Sequence, residues 1–261
     1  MNIEDGVKVY DSISGQYDLI EAEPAFKVLR QASLRNLVST FRQGMTIIDI
    51  GCGTGTEAIA LSKKGVTVIG IDPSKGMIEQ AQQKKSREGL SNLFFYQLAT
   101  SDLSRLPAVS GVHRFDGGYS SLGSLNCEPN IEGVAQDLRD LLHVGSPIVV
   151  SVINKKCLTE MVAYALSRPS RVFRRSGPFM AMSIGGKEAT VRVYSIKELK
   201  NAFKGFKPVS VKALSLLVPP PHLGRNLPED IVQGLGVLDK AASNWWPLNR
   251  FGDFLEITFR R

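Results

Sequence analysis

Residues 45–50 read Met-Thr-Ile-Ile-Asp-Ile and run straight into a glycine series, Gly51-Cys52-Gly53-Thr54-Gly55. An apolar, β-branched run that stops at glycines reads as a buried strand of a parallel sheet. Ala58, Ile59 and Leu61 then recur at helical spacing. The unit repeats: 66–71 predicts a second strand, and 74–87 predicts a helix with Met77, Ile78 and Ala81 on one face and Pro73 and Ser74 at its start. A third strand is expected at 93–98, a fourth from Phe115 to Tyr119, a helix over 131–142 and a fifth strand over 147–153. Such alternation folds as an open, mostly parallel α/β sheet with helices on both faces and right-handed crossovers.

Beyond the fifth strand the rhythm breaks. A helix is expected over 155–166, and prolines, glycines and arginines then interrupt 167–186. Regular alternation returns at 190–194. Ser195 with Glu198 forms a capping-box pattern for a helix to about Phe203, and a sixth strand is expected over 209–218, ended by Pro219, Pro220 and Pro221. The alternating run 254–260 suits an antiparallel strand at or near an edge. At 261 residues the chain reads as one elaborated domain. Its insertions at 154–188 and 219–252 are expected to form a substrate lid over the strand ends.

The glycine series permits a tight turn and close approach of a ligand to the backbone. Asp72 ends the second strand, 23 residues after Asp49, where a carboxylate can accept hydrogen bonds from ribose hydroxyls. Together they imply an adenosine-containing cofactor. NAD is the chemical rival, but the dinucleotide pattern G-x-G-x-x-G differs from Gly51-x-Gly53-x-Gly55 in its third spacing.

Charge and cysteine usage restrict the remaining classes. The net charge of +7 is diffuse except around Arg168, Arg171, Arg174 and Arg175; it reads as a solvated basic face, with contact to an acidic substrate or surface as the alternative. Cys52, Cys127 and Cys157 show no metal-ligand spacing, and no metal is expected. The apolar runs are too short for a transmembrane helix, and the acidic start at Glu4 and Asp5 does not resemble a targeting segment. A cytoplasmic protein is expected; no feature predicts an oligomeric partner.

The segments DIGCGTG at 49–55, VIGIDPSKGMIEQAQQK at 68–84, ATSDL at 99–103 and FDGGYS at 115–120, with the paired Tyr10-Asp11 and Tyr17-Asp18, resemble the class I, seven-stranded methyltransferase superfamily, in particular its small-molecule branch. The resemblance implies a Rossmann-like sheet and S-adenosylmethionine as cofactor, released as S-adenosylhomocysteine. On that pattern Asp49, Gly51, Gly53 and Gly55 shape the methionine loop, and Asp72 holds the ribose. Met77, Ala99 and Thr100 border the adenine, Tyr119 and Ser120 the methionine side, and Tyr17 closes over the sulfonium. The family's aspartate before Ala99 is Leu98 in this chain, with Asp102 as a neighbouring carboxylate.

Acceptor and catalytic residues carry no motif. His222 is the candidate base because it lies in the second insertion and histidine titrates near neutrality. Asn126, Arg171, Arg175, Trp245 and Trp246 are candidates for acceptor binding, each with a plain structural alternative. The mixed apolar and basic insertions point to a small organic acceptor, acidic and lipid-like ones included, with O-methylation slightly ahead of C- or N-methylation. No RNA-recognition module is present, and no nucleic-acid partner is expected. A cofactor-binding scaffold without turnover is the non-enzymatic alternative.

Overall fold

The computed structural model describes residues 3–261. Three helices precede the sheet: α1 (Ile3–Ile13), α2 (Tyr17–Ile20) and α3 (Pro24–Thr40). Then come β1 (Thr46–Ile50), α4 (Thr56–Ser62), β2 (Thr67–Asp72), α5 (Lys75–Glu88) and β3 (Leu93–Gln97). They are followed by α6 (Leu106–Ser110), β4 (Gly117–Ser120), α7 (Ile131–Leu141) and β5 (Pro147–Ile153). The second half comprises α8 (Leu158–Ser167), β6 (Phe179–Ile184), β7 (Lys187–Arg192), α9 (Ile196–Ala202) and β8 (Lys207–Leu214). It closes with α10 (Pro221–Gly224), α11 (Glu229–Ala242) and β9 (Phe254–Arg260).

Seven strands form one sheet in the order β3-β2-β1-β4-β5-β9-β8. The first five are mutually parallel, and β9 runs antiparallel to both β5 and β8. Side chains alternate between the faces of each strand. Ile48 and Ile50 of β1 accordingly join Val134, Leu138, Leu199 and Phe203 of the α7/α9 layer, while Ile47 joins Leu37, Phe41, Leu61 and Ile78 on the opposite side. Both layers exclude water from the central strands, which is what a parallel sheet requires.

Local chemistry sets the helix starts. Ser74 accepts the Met77 N–H at 3.2 Å, Asn130 caps α7 through the Gly133 N–H at 3.0 Å, and the Ser195/Glu198 capping box forms as the sequence indicates. Near-edge, antiparallel placement of the 254–260 strand also follows the sequence reading.

Several elements differ. The sixth strand ends at Leu214 rather than Val218, because Ser215 adopts φ +53° and turns the chain out of the ladder. The helix expected from residue 155 starts at Leu158, since the Asn154 amide is committed to the Lys156, Arg250 and Gly252 carbonyls. The region from Phe179 is a β6–β7 hairpin, separate from the large sheet, turned by Gly185 and Gly186 at φ +56° and +80°.

Candidate active site

β1, β2 and β4 end on one edge of the sheet, and strand order reverses between β1 and β4, the crevice where open α/β sheets bind ligands. A cavity opens there, with about 1010 Å³ of empty space including its mouth. Gly51, Gly53, Asp49 and Asp72 form its floor, and Met77, Thr100, Leu122, Leu125 and Glu128 form the far wall. Val7, Tyr10, Tyr17, Glu21 and Arg30, from the helices before the sheet, complete it.

The floor is built by backbone donors meeting one carboxylate. Gly51 and Cys52 both donate N–H groups to the Ile71 carbonyl, at 2.8 and 2.9 Å, which draws the glycine loop over the end of β2. Asp72 then accepts the Gly53 N–H on one oxygen at 3.0 Å and the Ser74 N–H on the other at 2.9 Å. Each oxygen retains acceptor capacity toward the cavity. Burial pushes the Asp72 carboxyl up to about 6 against these two donors.

Three glycines in the loop have different duties. Gly53, at φ +52°, has open space where a Cβ would stand, so its bare backbone leaves room for a ligand. At Gly51, φ +70°, a Cβ would lie 2.3 Å from that of Ser124; at Gly55, φ +79°, it would lie 2.5 Å from the Phe95 ring. Gly55 is a packing residue outside the cavity wall. Asp49 is buried at the end of β1, where Tyr119 donates its hydroxyl to Oδ2 at 2.7 Å; burial raises both groups well above their ordinary values.

The N-terminal helices are tied down by the two Tyr-Asp pairs. Asp11 Oδ1 accepts from Ser74 Oγ at 2.5 Å and from the Gly76 N–H at 3.0 Å, fastening α1 to the start of α5. Asp18 accepts from Thr54 at 2.6 Å and pairs with Lys84 at 2.8 Å. Burial opposes its charge, but the Lys84 and Thr54 hydrogen bonds outweigh it and hold the carboxyl below its ordinary range. Tyr10 and Tyr17 meet edge to face, ring centroids 6.1 Å apart, over the cavity.

At the opposite end Arg30 bonds to Glu21, and its Nε lies 2.8 Å from Glu57 Oε1, although that N–H is not aligned for a hydrogen bond. Burial raises Glu21 to about 7, with Arg30 opposing and Glu57 reinforcing the shift. The sequence reading missed this trio. Glu57, two residues beyond the glycine loop, is the one member that the motif's own spacing could have suggested.

Tyr17, Asp49, Gly51, Gly53, Asp72, Met77 and Thr100 thus meet in the wall, whereas Ala99, Tyr119 and Ser120 do not line it. Tyr119 is fully buried and acts on the site through Asp49. Asp102 pairs with Arg105 at 3.7 Å; the carboxylate that does reach the wall beside Thr100 is Glu128, which accepts the Thr100 hydroxyl and the Asn130 N–H. Cys127 also faces the cavity, 4.0 Å from the Tyr10 hydroxyl, and burial raises its thiol.

The acceptor candidates from the sequence are placed elsewhere. Asn126 is buried and braces the chain, donating to the Arg192 carbonyl at 2.5 Å and accepting the Ile153 N–H at 3.0 Å. Arg175 is buried against Glu160 and Asp253, at 2.6 and 2.8 Å, so its charge is already neutralised. His222 lies 3.4 Å from Glu160 in the same cluster, its pKa lowered by burial and by Arg174. Arg171, Trp245 and Trp246 are exposed. No residue of 154–188 or 219–252 lines the cavity, and the helices before β1 contribute to its wall. Among the described residues no cluster of His, Cys, Asp or Glu is arranged for a metal ion, and no helix is long and apolar enough to cross a membrane.

Residues 41–200 match the family described as "Methyltransferase domain". A demethylmenaquinone methyltransferase of Beutenbergia cavernae is 30% identical over 146 residues, 55% of this chain and 55% of that protein. A 23S rRNA (uracil(1939)-C(5))-methyltransferase of Shewanella sp. is 29% identical over 133 residues, 51% of this chain and 25% of that one. The chain therefore spans about half or less of the length of these curated relatives. Among solved structures, the DhpI-SAM-HEP complex superposes with a TM-score of 0.61 and 18% identity, covering 99% of this chain and 97% of that one, a likeness of fold.

Proposed function

The chain belongs to the methyltransferase-domain family, and on that premise we propose that it uses S-adenosylmethionine to methylate a small organic acceptor. The observation that carries this reading is the single floor made by Gly53 and Asp72 at the strand-order reversal. A bare glycine backbone leaves space, and a carboxylate beside it keeps acceptor capacity; an adenosyl group requires both.

The residues fit the rest of that cofactor. Asp72 receives the ribose hydroxyls, Met77 packs on the adenine, and Thr100 with Glu128 borders the base. Asp49 and the Glu21–Arg30 pair border the methionine portion as hydrogen-bonding groups. When bound, the cofactor supplies a methyl group already activated on a positively charged sulfur. The chain's part is to align the acceptor and exclude water, which the Tyr10–Tyr17 cover and the buried floor favour. Oxygen is the first acceptor atom we assign, and the small-molecule branch is supported by the likeness to a quinone methyltransferase. The whole chain acts as one catalytic unit, with the acceptor entering beside the N-terminal helices.

Calorimetric titration of the protein with S-adenosylhomocysteine and with NAD tests the cofactor reading. Saturable binding of the first and none of the second is expected; the reverse order would overturn it. Formation of S-adenosylhomocysteine dependent on a phenol or enol acceptor then tests turnover.

A further inference from the structure

α11 has two faces of opposite character. At about 100° of rotation per residue, Val232, Gly236 and Asp239 fall on one side of the helix, and Ile231, Gly234, Val237, Leu238 and Ala241 form an arc on the other. The first side packs inward: Val232 joins Ala25 and Val28 of α3, and a Cβ on Gly236 would lie 2.7 Å from the Val28 side chain. The second side is exposed along its length, Ile231 by 47%, Leu238 by 57% and Val237 by 71%. Among the described residues, five of the fifteen exposed large hydrophobic side chains fall within 231–246, so the apolar surface left open to water is concentrated here. Contact with α3 accounts for Gly236. Gly234 has no such account within one chain: a Cβ there would meet nothing within 4 Å, and a glycine inside a helix weakens it. A bare backbone in the middle of an apolar arc is what the close approach of another helix requires.

We propose that this arc pairs with the same arc of a second copy of the chain, two α11 helices crossing antiparallel at Gly234 in an isologous dimer. Ile231 stands three residues before Gly234 and Leu238 four after it, so antiparallel pairing sets Ile231 beside the partner's Leu238, twice over. The charges are self-complementary in the same arrangement. Asp230 and Lys240, both exposed, lie toward one edge of the arc at opposite ends of the helix. A two-fold axis that reverses the helix direction keeps that edge common, which brings each Asp230 to the partner's Lys240 and opposes the two helix dipoles. Parallel pairing would set like charges together. The acidic start at Glu229 and Asp230 also disfavours an anionic lipid surface as the occupant. α11 is seated on Val28 of α3, two residues from the Arg30 that lines the cavity, so pairing braces the helix that carries part of the cavity wall.

Sedimentation equilibrium of the full chain across the micromolar range tests the proposal. A dimer is expected, and Gly234→Arg should raise its dissociation constant at least about tenfold by burying an unpaired charge at the crossing. Gly234 faces open space and arginine is the better helix former, so this variant should keep its circular dichroism. Val162→Arg, at an exposed position of α8, should leave the mass unchanged. Asp230→Lys and Lys240→Asp should each weaken the homodimer, and an equimolar mixture of the two variants should restore association as a mixed dimer. A monomer throughout the range, a dimer indifferent to Gly234→Arg, or a mixture no tighter than its components would each overturn the proposal. So would a monomer retained on lipid vesicles through Leu238, a result that assigns the arc to a membrane instead.

Discussion

Gly53 donates its N–H to Asp72 Oδ2 at 3.0 Å, so the loop after the first strand and the acid at the end of the second form one ligand-binding unit. Removing the carboxylate therefore does two things. It deletes the ribose acceptor and leaves the Gly53 and Ser74 donors without their partner.

Asp72→Ala is expected to weaken S-adenosylhomocysteine binding by about 10- to 100-fold, the range for hydrogen bonds to a charged group. Asp72→Asn, which keeps the shape, should lose less. Titration calorimetry on the folded variants checks both, and undiminished affinity in Asp72→Ala would remove Asp72 from the site.

The same carboxyl sets a pH dependence. Burial raises Asp72 to about 6, so in the free protein it gains a proton as pH falls through that value. Only the ionised form has both oxygens open as acceptors. Cofactor affinity should be constant above pH 7 and fall by up to about tenfold per pH unit well below 6. The dependence should vanish in Asp72→Asn.

Glycine substitutions separate cavity from packing. At Gly53 an added methyl enters open space, and the cost to the fold is that of the positive φ, about 1–2 kcal/mol. Gly53→Ala should fold, melt a few degrees lower and bind cofactor poorly. At Gly55 the methyl meets the Phe95 ring, and Gly55→Ala should lose more stability than Gly53→Ala in urea unfolding.

Buried Glu256 imposes a stability slope. Burial raises its pKa to about 7, opposed by Lys212, Ser33 and Asn36. Between 4.5 and 7 the folded chain holds a proton that the unfolded chain has released, so this contribution is complete below 4.5 and is lost as pH rises through 7. Glu256→Gln should flatten the fall in unfolding free energy over that window.

Sequence legibility followed sequence distance. The strand alternation, the glycine loop and Asp72 were readable because each is a local pattern within one βα unit. Hidden were pairings such as Asp18 with Lys84 and Arg30 with Glu57, whose partners lie far apart in the chain and obey no period. The β6–β7 hairpin had a usable signal in Gly185-Gly186, masked by the prolines and arginines before it. His222 and Arg175 attracted functional readings as reactive residue types, but a shared partner, Glu160, draws both into a cluster apart from the cavity.

β9 is encoded after β8 yet lies between it and β5. Until Phe254–Arg260 is in place, β8 has no neighbour in the large sheet and β5 shows a bare row of backbone donors and acceptors. A chain interrupted before Phe254 would therefore present two sticky ribbons instead of one closed sheet, and association with other chains would compete with its own completion.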